Sequence, residues 1–228
     1  MSTVRRFLRD NGLSLCMLAI FLAAIVGQSF AGWAANNEEL IGHSRPAIGY
    51  GQFVSSSAFL VDVAENWQSE FLQFFVFIFA TIWLIQRGSP ESKKPGNAGV
   101  ETDEQQLVGE YARPDSPRWA KMRGLRGWLY ANSLLITMGA IFLLSWFAQS
   151  LGGMVQMNEE NAEHAAAAVD WVGYVSSPDF WNRTLQNWQS EFLAVGAMVA
   201  FTIYLRQRGS SESKPVGVPH ATSSEEAE

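Results

Sequence analysis

The chain has 228 residues and a net charge of −6 at pH 7. That balance argues against a nucleic-acid partner, which needs a basic face. Its single cysteine, Cys16, excludes an intrachain disulfide, and its apolar residues gather in four blocks separated by polar, Pro- and Gly-containing segments. Such blocks point to an all-α protein whose partner is the lipid bilayer.

The N-terminus carries Arg5, Arg6 and Arg9, followed by an apolar block from about Leu13 to Gly32. Twenty uncharged residues match a hydrocarbon core about 30 Å thick. A cleaved secretory signal is the rival reading, but the block exceeds the usual signal core of about 7–15 residues. We therefore expect a retained helix over about 13–32, with Cys16 behaving as a small hydrophobe. Residues 33–65 read as a polar loop containing Glu38, Glu39, His43 and Arg45. A second apolar block, Phe71 to Gln86, is only about 16 residues long. Its helix is therefore expected to begin inside the preceding polar motif, over about 67–86, ending near Arg87 and Gly88. The segment 97–117 reads as a disordered linker.

The second half follows the same plan. Arg118, Lys121, Arg123 and Arg126 precede a helix expected over about 128–151. A polar loop follows over 153–186, then a helix over about 187–206 and a disordered tail over 210–228. The halves align without a gap at an offset of 121 residues, with about two residues in five identical. The longest match is Asn66-Trp67-Gln68-Ser69-Glu70-Phe71-Leu72, which recurs as Asn187 to Leu193. Shared loop residues, such as Asn37-Glu38-Glu39 on Asn158-Glu159-Glu160 and His43 on His164, show that the likeness is more than membrane composition. Repeat 1 is thus 1–96 and repeat 2 is 118–209.

Lys and Arg cluster before blocks one and three and after blocks two and four. The positive-inside rule then makes both termini and the linker cytoplasmic. The expected architecture is an integral membrane four-helix bundle of two parallel tandem hairpins, related by a pseudo-two-fold axis along the membrane normal. Ala19, Ala23, Gly27 and Ala31, four residues apart, offer a packing seam, and Ala148 and Gly152 keep part of that stripe in the third helix.

The candidate membrane-interface polar site comprises Asn66, Trp67, Gln68 and Glu70 with Asn187, Trp188, Gln189 and Glu191. Gln28 and Gln149 are expected at similar depth. Glu70 shares a helix face with Thr81, and Glu191 with Thr202. A carboxylate at membrane depth is a candidate proton or cation site. The structural alternative makes Trp67 and Trp188 interfacial anchors and Gln-Ser-Glu a solvated first helical turn at the outer lip. Glu39 with His43, and Glu160 with His164, have i, i+4 spacing, which a metal site uses, but two ligand types on a loop read more simply as solvated polar residues. No phosphate-binding loop, dinucleotide fingerprint or paired-His motif occurs, so no enzyme, cofactor or metal is expected.

The repeated Asn66–Leu72 and Asn187–Leu193 motifs, with Gln86-Arg87-Gly88 and Gln207-Arg208-Gly209, resemble an uncharacterised bacterial membrane-protein family defined by a domain of unknown function. The resemblance implies a small multi-pass protein of the cytoplasmic (inner) membrane and brings no activity with it. The leading expectation is a structural or interaction role. The alternative is a small proton- or cation-coupled transporter using Glu70 and Glu191. A homo-oligomer fits both, since four helices are few for a transport path.

Overall fold

The structure is a computed structural model and describes residues 3–223. It is all-helical, with no strand among the described residues. The α-helices are α1 (Thr3–Asp10), α2 (Gly12–Gly42), α3 (Tyr50–Val54), α4 (Ser57–Trp83), α5 (Leu125–Ala131), α6 (Ser133–Glu163), α7 (Trp171–Val175) and α8 (Pro178–Tyr204). Every bound of α2, α3 and α4 recurs 121 residues later in α6, α7 and α8.

α2 and α6 are long and apolar enough to cross a membrane. At 31 residues each, they rise about 46 Å, more than a hydrocarbon core of about 30 Å requires. They therefore continue well past the apolar blocks. The expected loops over 33–65 and 153–186 are correspondingly mostly helical. Hydropathy marks only the portion of a helix suited to lipid, whereas backbone hydrogen bonding carries the helix on into polar sequence.

α2 stops where Ser44 turns into the left-handed region at φ 58°, and α6 stops likewise at Ala165, φ 53°. The N–H of Arg45 donates to the carbonyl of Leu40, and that of Ala166 to Asn161, closing the six-to-one bond of a Schellman cap. An asparagine pins the return segment in both repeats, joined by Trp33 on the Ile48 carbonyl in the first and by Asn161 on the Ala167 carbonyl in the second. Asn37 donates to the carbonyl of Ile48 and accepts from its N–H, and Asn158 does the same to Val169. Ser56 and Ser177 then cap α4 and α8, accepting from the N–H of Phe59 and of Phe180.

These caps overturn the expected boundaries of the second and fourth helices. α4 begins at Ser57 instead of near 67, and both α4 and α8 end three residues or so earlier than expected, at Trp83 and Tyr204. Gly88 and Gly209 do not terminate helices. They hold φ 88° and 87° in a turn beyond them, where Gln86 and Gln207 donate backbone N–H to Ser92 Oγ and Ser213 Oγ. The expected disordered linker over 97–117 is a run of turns with one 3₁₀ segment, Gly109–Tyr111. The tail over 210–228 is ordered by turns as far as it is described. Lys214 Nζ donates to the carbonyls of His220 and Thr222; residues 224–228 lie outside the described residues.

Packing centres on α4 lying along α6, with α8 against α4. The contact is close because α6 presents small residues: a Cβ on Gly152 would sit 2.6 Å from Val61, and one on Gly139 would sit 3.0 Å from Phe75. The expected seam along α2 is not used this way. Ala19, Ala23 and Ala31 are exposed and nothing lies near Gly27. A two-fold relation would also bring α2 onto α8 as α6 lies on α4, but no comparable packing exists there. The two hairpins instead meet head to tail, the second helix of one against the first helix of the other.

Buried positions are both apolar, as at Phe53, Val61, Tyr174 and Phe180, and polar, while many large apolar residues are exposed. Leu13, Met17, Ile20, Leu22 and Val26 of α2 are exposed, as are Leu143, Leu144 and Phe147 of α6. The buried set includes Ser29, Gln68, Ser69, Ser145, Gln149 and Thr184.

Candidate functional site

The repeated seven-residue motif lies in the middle of α4 and of α8, not at their starts, because the capping serines launch each helix nine residues before Asn66 and Asn187. The expected outer lip is therefore corrected to a mid-helix layer. Gln68 of the first copy and Gln149 of α6 are both 0% exposed, so the first copy turns Gln68 and Ser69 into the bundle, whereas Gln189 and Ser190 of the second copy are exposed.

Around Gln68 the geometry is specific. Trp188 Nε1 donates to Gln68 Oε1 at 2.7 Å, joining the two copies of the motif across α4 and α8. Gln149 Nε2 reaches Glu65 Oε1 at 3.5 Å from α6, and Arg183 Nη1 lies 3.2 Å from the same oxygen. Arg183 also donates to Gln156 Oε1 at 3.2 Å. Gln68 Nε2 and Gln149 Oε1 keep one donor and one acceptor with no protein partner. Such groups are costly where the surroundings are apolar.

An aromatic wall flanks this layer. Trp146 contacts Phe142, Phe180, Trp181 and Trp188, and donates its Nε1 to Thr184 Oγ1 at 3.3 Å. Beyond it, Tyr174 is fully buried against Gly153 and hydrogen-bonds to Asp179 at 3.5 Å. Burial, and then the charge of Asp179, push the Tyr174 phenol above its ordinary range.

The other expected site residues fall outside the layer. Glu70 is exposed and Glu191 half-buried. Trp67 meets Phe21 at 6.3 Å, and Asn66 and Asn187 bond back to the carbonyls of Asp62 and Arg183 in their own helices. Gln189 is exposed and Gln28 half-buried. Thr81 and Thr202 donate to Ile78 and Met198 carbonyls, so they extend no polar track from the glutamates. His43 and His164 place Nδ1 3.0 and 2.9 Å from the carbonyls of Glu39 and Glu160, closing the last turn of each helix. No group of three metal-ligating side chains occurs among the described residues.

Sequence reasoning missed Glu65, Arg183, Gln156 and Trp146. It searched for identity between the halves, whereas these positions carry difference: at the offset of 121, Asp62 faces Arg183, Glu65 faces Gln186 and Trp146 faces Ile25. Charge exchanged between otherwise matched positions was the available signal.

Fold and layer together define an all-helical protein with two helices able to cross a membrane. The chain belongs to the family described as a domain of unknown function, DUF6766, which matches residues 4–225. No curated protein and no solved structure matches it.

Proposed function

We propose that this is a multi-pass protein of the bacterial cytoplasmic membrane, a four-span bundle of two parallel tandem hairpins with a structural or interaction role and no enzymatic one. In this reading α2, α4, α6 and α8 cross the bilayer, and both termini and the segment 84–124 are cytoplasmic. The observation that carries it is the inverted polarity: apolar side chains face outward along α2 and α6, while glutamine, serine and threonine occupy the helix contacts. Where no hydrophobic effect drives helices together, small residues and interhelical hydrogen bonds do so. The equal bounds of the two hairpins and the clustering of Lys and Arg at one end support the tandem arrangement.

Both basic residues of the loops on the other side are engaged within the protein, Arg45 with Glu163 and Arg183 with Glu65. They therefore weigh little against that orientation. From Phe71 to Trp83, α4 is apolar apart from Gln73 and Thr81, roughly 20 Å of helix. Spanning thus takes the Gln68 layer below the membrane surface, which is why its amides turn inward.

A transport reading has one observation in its favour, the half-buried Glu65–Arg183 pair beside Gln68 and Gln149. It shifts ionisable chemistry away from Glu70 and Glu191. Proteoliposomes loaded with a pH-sensitive dye and given a potassium diffusion potential test it. We expect wild type, Glu65→Gln and the Glu70→Gln/Glu191→Gln pair to show the same flux as empty vesicles. Protein-dependent flux abolished by Glu65→Gln would replace the structural reading. Membrane sedimentation resistant to alkaline carbonate is expected, and release into the soluble fraction would contradict the multi-pass reading.

A further inference from the structure

The junction between the hairpins consists of one face of α4 against one face of α6, and at an offset of 121 residues the same two faces exist again. The α6 face recurs on α2, and the α4 face recurs on α8. Within the chain these second copies are not used. On α2, Leu18, Ala24 and Ala31 are exposed; on α8, Asn182, Leu185 and Gln186 are exposed and open space surrounds Gly196.

The residue pairs suggest that the unused faces fit each other. At the existing junction the ring of Phe75 fills the notch at Gly139. The corresponding pair is Gly196 and Leu18, in which bulk and notch have changed sides. Val61 against Gly152 corresponds to Asn182 against Ala31, again a small residue on the first-helix side. Glu65 with Gln149 corresponds to Gln186 with Gln28, so two amides stand where a carboxylate meets an amide. Amides at membrane depth need partners, and an opposing amide supplies both a donor and an acceptor.

We propose that a second copy of this chain packs its α2 onto α8, repeating the α4–α6 junction between molecules. Each copy lends α2 and receives α2, so two copies close into one symmetric ring of four hairpins with no face left over. An open, one-sided junction would leave one such pair of faces bare at each end. The inference rests on the tandem-hairpin reading above, but it makes a separate claim about what covers α2 and α8.

Cross-linking in the membrane tests it. In a Cys16→Ser background, one tagged chain carries Ala31→Cys and a differently tagged chain carries Asn182→Cys. Oxidation of membranes from cells expressing both is expected to give a product containing both tags. A Phe79→Cys chain, with its thiol on an exposed position of α4, is expected to give none with either. Absence of the two-tag product overturns the proposal. So does an internal cross-link in a single chain carrying both substitutions, which would place α2 on its own α8 while leaving the tandem reading intact. Gly196→Trp supplies a second readout: the mass in nanodiscs is expected to fall from two chains to one with helicity retained. Two chains persisting with Gly196→Trp and no two-tag product would assign the dimer to another face.

Discussion

Arg183 links the polar layer, because it supplies the positive charge beside Glu65, whose oxygen Gln149 also reaches, and it donates to Gln156 as well. Arg183→Leu leaves a carboxylate uncompensated in a site where Glu65 keeps only 18% of its side-chain exposure. Breaking a fully buried pair costs about 3–5 kcal/mol; with Arg183 36% exposed we expect about 2 kcal/mol, read as a lower melting temperature in detergent. Adding Glu65→Leu is expected to recover most of that loss, and a double variant no better than Arg183→Leu would mean that the pair is not the cause. Two glycines offer a contrast. A Cβ at Gly153 meets the Tyr174 hydroxyl at 2.0 Å, whereas nothing lies within 4 Å of Gly27. Gly153→Ala is expected to destabilise by at least about 1 kcal/mol, as overpacking does, and Gly27→Ala to be neutral or stabilising by up to about 1 kcal/mol. Tyr174 adds a pH dependence. Its folded phenol titrates above its unfolded value, so its contribution is present below the ordinary tyrosine range near 10 and is lost as pH rises through the higher folded value. Melting curves of wild type against Tyr174→Phe between pH 7 and 11 should diverge only at the alkaline end.

The helices owe their limits to caps whose visibility in the sequence differs. The starts of α4 and α8 were legible: Ser56 and Ser177 stand just before the helical runs, and serine is a preferred N-cap. They were passed over because charged residues such as Asp62 and Arg183 follow and read as loop. The ends of α2 and α6 were not legible, because Ser44 and Ala165 take the left-handed conformation that glycine ordinarily supplies. Non-glycine residues there carry a steric cost of about 1–2 kcal/mol. Ser44→Gly and Ala165→Gly are therefore each expected to stabilise the fold by a few tenths to about 1 kcal/mol in thermal unfolding, and destabilisation by either would show that the Schellman turn is not formed. Pairing between helices was legible only in kind. Small residues at four-residue spacing announced a seam, but which helix uses it depends on the partner's bulk. Phe75 and Val61 of α4 select Gly139 and Gly152 of α6 over the alanines of α2.

At the scale of the whole molecule, one physical pattern links these features. Apolar surface faces outward along α2 and α6, while Gln68 and Gln149 are buried, a distribution in keeping with the membrane reading proposed above. The offset of 121 residues was visible from sequence and so were the four apolar blocks. The head-to-tail junction was not, since identical sequence copies are equally compatible with a two-fold arrangement. The central claim is that four helices cross the bilayer with both inter-helix loops on the outer side. It is tested most directly by thiol accessibility in a Cys16→Ser background, with single cysteines at Ala47, Ala168, Asn97 and Ser211, using a membrane-impermeant maleimide on intact spheroplasts. Ala47→Cys and Ala168→Cys are expected to label in intact spheroplasts, and Asn97→Cys and Ser211→Cys only after permeabilisation. Labelling at Asn97→Cys before permeabilisation, or protection of Ala47→Cys and Ala168→Cys, would contradict the account.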